Sequence, residues 1–353
     1  MFYNLQVKEI TRETPDAVSV IFDIPDNLKE NFRYTQGQYL TFRKNINGEE
    51  IRRSYSLSSS PVTDNFLRVA IKQIDGGKFS TFANQDLKVG DVLESMAPMG
   101  GFFTELIKNQ SKHYVFFAAG SGITPVISII KTALAIEENS TVTLVYGNKS
   151  ADHTIYRDEL NELAKNYPNR FYLNYVLSRE ASSDPMQNGR ISANKCEELT
   201  SNDAKLYAGS DYFLCGPKAM IDEISEHLMT KGIEKKRIHF ELFTTPVSDS
   251  KKVMNSGEEF TSHIKVIMDD EEFEFDLSSK GESILDASIA AGIDAPFSCK
   301  GAVCCTCKAK VIEGSASMSM NYALDDSEVE EGYILTCQAH PTSENLVVDY
   351  DVI

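Results

Sequence analysis

The chain has 353 residues, 42% of them hydrophobic and 25% charged, too long for one ordinary core and apolar enough for roughly two to three domains. Its formal charge of −17 excludes a protein that works by neutralising phosphate, whether of nucleic acid or of an anionic membrane. Seven cysteines, an odd number with four in one motif, argue for a reducing compartment and metal ligation over a disulfide framework, and the opening MFYNLQVKEITRETPDA has neither a signal-peptide pattern nor the roughly 20 apolar residues of a membrane helix, so a cytoplasmic protein is expected.

Residues 2 to 98 carry short β-rich runs separated by turn residues: FYNLQV, AVSVIFDI, QYLTF, IRRSYSL, FLRVAIKQI and DVLESMAP. This spacing predicts an antiparallel β-barrel or sandwich. Arg53-Ser54-Tyr55-Ser56-Leu57 predicts a strand with Arg53, Tyr55 and Leu57 on one face and Ser54 and Ser56 on the other, ending in the turn Ser58-Ser59-Ser60-Pro61. Tyr55 offers a planar ring for stacking and Arg53 a fork of donors for a diphosphate, but taken alone the string fits an ordinary half-buried strand better. Gly76-Gly77-Lys78-Phe79-Ser80-Thr81-Phe82 reads either as a plain glycine turn or as the start of a short helix whose free N–H groups suit an anion.

From about residue 112 the period changes. Apolar strands YVFFAA, VTLVYG, FYLNYVLS and DYFLCG alternate with helical PVISIIKTALAIE, YRDELNELAKN and KAMIDEISEHLMTK, which predicts a doubly wound parallel α/β domain. Between the first strand and helix lie Gly120-Ser121-Gly122-Ile123-Thr124-Pro125, glycines that allow close approach of a diphosphate, with Thr124 expected as the helix N-cap and Pro125 in the first turn. Cys215-Gly216-Pro217 ends another strand, at the sheet edge where ligands bind; Cys215 taken singly also fits a buried cysteine before a tight turn.

TTPVSDSKKVMNSGE, residues 244 to 258, is polar and aperiodic and reads as a linker. After it, HIKVIMDDEEFEFDL predicts two strands turning at Asp269-Asp270, and SILDASIAAG a short helix opened by Ser283 with Asp286 three residues on. Then come Cys299, Cys304, Cys307 and Cys337, with four, two and twenty-nine intervening residues, the arrangement by which plant-type ferredoxins hold a [2Fe-2S] cluster. Gly301 and Ala302 are small enough to let backbone N–H groups turn inward, and the fourth cysteine arrives from the strand Ile334-Leu335-Thr336. A structural zinc site is the alternative, although its usual paired C-x2-C spacing is absent. Cys305 is expected to be a spectator and His340 a surface histidine. Residues 258 to 353 hold 20 Asp plus Glu against 5 Lys, so the acidity belongs to this last segment; a merely soluble surface and a docking face for a basic protein both accommodate it.

Taken in order, these motifs resemble the ferredoxin-NADP+ reductase superfamily, fused to a C-terminal plant-type ferredoxin domain, as in oxygenase reductase components. CKGAVCCTCKAKVIEGSASM, NYALDDSEVEEGY and ILTCQAHP are similar to the reductases of soluble multicomponent di-iron monooxygenases of phenylacetate catabolism; Ala302 stands where those commonly have a second glycine. The resemblance implies an antiparallel β-barrel FAD domain over 1–106, an α/β NADP domain over 107–243, a linker over 244–258 and an α+β (β-grasp) ferredoxin domain over 259–353. It also implies FAD held by Arg53, Tyr55, Ser56, Gly77, Lys78, Phe79 and Ser80. NADPH is expected at Gly120, Ser121, Gly122, Thr124, Pro125, Ser178, Arg179, Cys215, Gly216 and Pro217, with Ser178-Arg179 toward the 2′-phosphate. The cluster falls to Cys299, Cys304, Cys307 and Cys337. Ser56 and Cys215 are the expected catalytic pair, one at the flavin ring and one at the nicotinamide.

The implied activity is electron transfer from NADPH through FAD and the [2Fe-2S] cluster to the oxygenase component of a multicomponent monooxygenase. Glu241 and Phe243, in HFELF at the end of the reductase module, are within the range of residues that could approach the flavin, but core packing is expected for Phe243 and neither is assigned to the site. Two alternatives share features of the chain: a reductase for a Rieske oxygenase or an acyl-CoA desaturase, and a zinc-binding or redox-sensing regulator.

Overall fold

The computed structural model describes residues 1–201, 205–243 and 258–352. The expected linker lies, except for its last residue, outside the described residues. The chain divides into two compact units, Met1–Glu241 and Leu242–Ile353.

The first unit begins with β1 (Tyr3–Thr14), β2 (Ala17–Asp23), β3 (Tyr39–Ile46), β4 (Glu49–Ser56), β5 (Leu67–Lys72), helix α1 (Lys78–Gln85) and β6 (Val92–Ser95). These strands form an antiparallel sheet in the order β4-β3-β6-β1-β2-β5. Period-2 alternation turns Leu5 and Val7 of β1, Val18, Val20 and Phe22 of β2, and Leu67, Val69 and Ile71 of β5 into one core. Just past β4, Leu57 bridges Val69 and Ser58 N–H donates to Arg68 O at 2.8 Å, which brings the two edges of the sheet together into a barrel. Helix α1 adds Phe79 and Ala83 to the same core.

Five parallel strands follow: β7 (His113–Ala119), β8 (Thr141–Asn148), β9 (Phe171–Leu177), β10 (Asp211–Cys215) and β11 (Ile238–Glu241), in the order β11-β10-β7-β8-β9. Helices α2 (Ile123–Ile136), α3 (Arg157–Asn166), α4 (Ala193–Ser201) and α5 (Lys218–Thr230) connect them. Tyr114–Ala118 and Val142–Tyr146 are buried without interruption, as expected of central strands covered on both faces. Strand order reverses between β7 and β10, so the loops after them open at one switch point.

Helix α2 is apolar nearly all round because the barrel covers it. Ser128 Oγ donates to Ser59 O at 2.6 Å, and the Ser60 and Thr132 hydroxyls meet at 2.9 Å. Lys131 pairs with Asp64 at 2.6 Å and Glu159 at 2.8 Å, and Arg68 also reaches Glu159 at 2.8 Å, which ties the barrel to the α/β half.

Two expectations change here. Thr124 is not the N-cap: Gly120–Gly122 forms a 3-10 turn that runs straight into α2, so Thr124 lies inside the helix and donates to Ser121 O at 3.0 Å. Phe243 is 41% exposed, because β11 stops at Glu241 and sheet pairing does not extend to it.

The second unit contains β12 (Thr261–Met268), β13 (Glu271–Ser278), α6 (Ile284–Ala290), β14 (Lys308–Glu313), β15 (Ala316–Met318), α7 (Asp326–Glu330), β16 (Tyr333–Leu335), β17 (Ala339–Pro341) and β18 (Asn345–Asp349). Its main sheet runs β13-β12-β18-β14-β16, with β12 and β18 parallel, and β15 pairs separately with β17. Asp269 and Asp270 turn the first hairpin with φ of 54° and 61°, left-handed conformations that aspartate tolerates, and both N–H groups donate to the Asp351 carboxylate. Ser283 caps α6 through the Asp286 N–H at 3.2 Å, as its position predicts. His340 is half-buried in the β15–β17 pair rather than on the open surface.

Candidate functional site

Around the switch point, strand ends bring together residues far apart in sequence. Ser56, the last residue of β4, is buried, and its Oγ donates to Glu241 Oε2 at 3.3 Å across 185 positions of chain. Glu241 ends β11, beside Cys215 of β10, which is fully buried. Burial, then the nearby Glu241 charge, pushes the Cys215 thiol well above its ordinary range. Glu241 is half-buried at this edge, and loss of solvent around its carboxyl group raises its pKa to about 8, opposed only by the Ser56 hydrogen bond.

Glycine is required where these loops touch. A Cβ on Gly122 would lie 2.1 Å from Cys215 O, and one on Gly216 would lie 3.0 Å from Ala119 Cβ and 2.7 Å from Met220 Cε. The loops therefore close to backbone contact at the carboxyl edge, with the Gly120–Gly122 N–H groups at the helix start. Ser121, Thr124 and Pro125 share this turn, and Pro217 caps α5.

In the barrel, Tyr55 packs against Phe79 with ring centroids 5.5 Å apart and against Phe42 at 6.3 Å. Arg53 is exposed, and one guanidinium nitrogen donates to Arg52 O at 2.7 Å. Gly77 caps α1, and a Cβ there would meet Ser80 Oγ at 2.4 Å. Gly76, Gly77 and Lys78 line a groove of about 520 Å³ with Lys44, Asn47 and Phe82. Lys78 is exposed and ion-paired with Glu49, while Phe79 is in the core. Ser178 and Arg179 are exposed at the carboxyl end of β9, and their N–H groups donate to Asn148 O and Lys149 O at 2.9 and 2.8 Å.

In the second unit the four cysteines come together as two pairs. Cys304 Sγ donates to Cys299 Sγ at 3.2 Å, and the Cys307 thiol donates to Cys337. The acceptor of each pair, Cys299 and Cys337, is held below the usual thiol range by its partner first of all. Backbone N–H groups of Gly301, Val303 and Cys304 add to this at Cys299, and that of Ala302 at Cys337. Lys300 and Ala302 reach the required orientation with φ of 49° and 60°, left-handed conformations that glycine adopts most easily. Cys305 Sγ donates instead to Ala323 O at 3.4 Å. Among the described residues no three ligating side chains gather to hold a single metal ion. Two cysteine pairs with inward N–H donors, one pair for each iron, fit a two-iron cluster better than one tetrahedral zinc.

Known proteins resemble this chain along its whole length. Residues 4–103 match the Oxidoreductase FAD-binding domain, 116–226 the Oxidoreductase NAD-binding domain and 266–342 the 2Fe-2S iron-sulfur cluster binding domain. The chain is 38% identical over 353 residues to a component of the 1,2-phenylacetyl-CoA epoxidase of Escherichia coli K12, covering 99% of this chain and 98% of that protein. The chain belongs to the ferredoxin-NADP+ reductase superfamily. This reductase is also 33% identical to the ferredoxin reductase component of 3-ketosteroid-9-alpha-monooxygenase from Rhodococcus rhodochrous, over 98% of this chain and 96% of that one. Its fold is that of phthalate dioxygenase reductase, with a TM-score of 0.60 and 22% identity, covering 99% of this chain and 98% of that structure.

The reductase thus carries FAD-binding, NAD-binding and [2Fe-2S]-binding domains and is an NAD(P)H-dependent oxidoreductase of the oxygenase-component type. Two further side chains stand at these edges without a sequence motif of their own. Glu241 comes to Ser56 only through folding. Lys72, at the end of β5, has its Nζ 3.8 Å from where a Gly120 Cβ would stand and 3.6 Å from Asp16. A lone lysine ending a strand gives no local signal, so only the juxtaposition of barrel and dinucleotide turn reveals it. Among the described residues no helix is long and apolar enough to cross a membrane.

Proposed function

We propose that this reductase draws on NADPH and delivers electrons to the oxygenase component of a phenylacetyl-CoA epoxidase. The observation that carries the reading is the meeting of Ser56, Cys215, Glu241 and the Gly122 backbone at the switch point, where a hydride donor and acceptor must face each other. The full-length likeness to the Escherichia coli epoxidase component supports the partner. When bound, the flavin accepts electrons in pairs and the iron-sulfur cluster passes them on singly.

The chain's own residues have defined tasks in this reading. Backbone contact between Gly122 and Cys215, with Gly216 and Pro217, shapes a floor for the nicotinamide; Gly120, Ser121, Thr124, Pro125 and Lys72 hold its diphosphate. Ser56 offers a hydroxyl to the flavin edge, and the raised pKa of Glu241 keeps a proton on its carboxyl group at neutral pH. Tyr55 and Phe79 form an aromatic wall, while Arg53, Gly77, Lys78 and Ser80 serve the flavin's diphosphate side. Cys299 and Cys304 would hold one iron, Cys307 and Cys337 the other.

Ser178 and Arg179, adjoining Lys149, support NADPH over NADH because a 2′-phosphate needs hydroxyl and cationic donors. Glu180 accepts instead from Ala151 N–H at 2.7 Å. Arg179→Ala should raise KM for NADPH about tenfold while leaving KM for NADH nearly unchanged, the size expected for one charge-assisted contact. Equal changes for both nucleotides would remove the NADPH assignment.

A further inference from the structure

The pair Cys307 and Cys337 is assembled from a loop and a strand end separated by 29 residues, so something besides the thiols must set their spacing. Thr336, fully buried, immediately precedes Cys337. Its N–H and its Oγ1 both donate to Cys307 O, at 3.1 and 2.9 Å. The Thr336 hydroxyl in turn accepts from the buried Tyr350 hydroxyl at 2.8 Å. Tyr350 follows β18, and its own N–H donates to Ile267 O of β12 at 2.9 Å. A hydrogen-bonded chain thus runs from the central parallel strand pair, through two side-chain hydroxyls, to the backbone of a cluster cysteine.

We propose that the Tyr350–Thr336 relay positions the Cys307–Cys337 pair for its iron and is read out in the cluster's electronic environment. The proposal rests on the reading that the four cysteines hold a [2Fe-2S] cluster. Each link has a reason. The Cys307 carbonyl, taken by two donors from the residue beside Cys337, cannot rotate without breaking both. The Tyr350 hydroxyl fills the acceptor site on Thr336 and leaves that hydroxyl's own proton for Cys307, which fixes the direction of the chain. The relay acts through backbone and hydroxyl groups, so Thr336 and Tyr350 are positioning residues.

The discriminating variants are Thr336→Val, which keeps the shape and loses the hydroxyl, Thr336→Ser, which keeps the hydroxyl and loses a methyl, and Tyr350→Phe. Full-length proteins are compared by the electron paramagnetic resonance spectrum of the dithionite-reduced cluster and by the rate of cluster bleaching under a ferrous chelator. Thr336→Val and Tyr350→Phe should shift the g values and bleach about fivefold faster, the change that one hydrogen bond's net worth implies, while Thr336→Ser stays like the parent protein. Packing alone predicts the opposite order, with Thr336→Ser impaired and Thr336→Val normal, and that order would overturn the proposal. Parent-like spectra and bleaching in Tyr350→Phe would also overturn it. A parent protein with no iron-sulfur spectrum after anaerobic reconstitution would overturn the cluster reading itself.

Discussion

Glu241 shows how one side chain ties pH to folding. In an unfolded chain a glutamate loses its proton near 4.5, whereas here the folded protein keeps it to about 8. Between those values the folded state binds the extra proton, so this group's contribution to stability is fully present below about 4.5 and is lost as pH rises through about 8. Glu241→Gln keeps an acceptor for Ser56 and removes the titration. The melting temperature of the flavin-free protein should therefore fall less between pH 5 and 8.5 in Glu241→Gln than in the parent, as followed by circular dichroism; parallel pH profiles would contradict the assignment. The chemistry of single residues was legible in the sequence only where the motif is contiguous. The Arg53–Ser56 run, the glycines at 77, 120 and 122 and Cys299, Cys304 and Cys307 stand out through neighbours a few positions away, and Cys337 only through its spacing to those three. Glu241 and Lys72 do not, because what gives them meaning lies across the fold: Ser56 is 185 positions from Glu241.

At the scale of elements, the change from period-2 strands to alternating strands and helices was readable because each pattern reflects which faces are covered. The helix start departs from expectation, since Thr124 has the composition of a cap but the 3-10 turn begins four residues earlier, at Gly120. What fixes that turn is its approach to the end of β10. Gly122→Ala places a methyl 2.1 Å from the backbone carbonyl oxygen of Cys215, which cannot swing aside as a side chain could, so β10 and α2 must separate. A cost of about 1–3 kcal/mol in unfolding free energy is expected from such overpacking, together with a raised KM for NADPH. Denaturant titration and steady-state kinetics check this; an unchanged KM would mean that the nicotinamide does not use this contact.

Across the whole molecule the charge is partitioned as sharply as the folds. Residues 258 to 353 carry 20 acidic residues against 5 Lys, many of them exposed on the β12–β13 hairpin and around α7, while the remainder is close to neutral. An acidic domain that docks by charge should reduce cytochrome c, a basic surrogate acceptor, progressively more slowly as salt rises from 0.05 M to about 0.5 M, where the screening length has fallen severalfold; a flat profile would contradict electrostatic docking. The division of labour between the units is tested most directly by anaerobic titration with NADPH of the parent protein and of Cys307→Ser. In the parent, the flavin absorbance and the red iron-sulfur shoulder should both bleach and cytochrome c should be reduced. In Cys307→Ser the flavin should still bleach while cytochrome c reduction is lost. If Cys307→Ser lost flavin bleaching as well, or kept full cytochrome c reduction, paired electrons entering one unit and leaving singly from the other would not describe this protein.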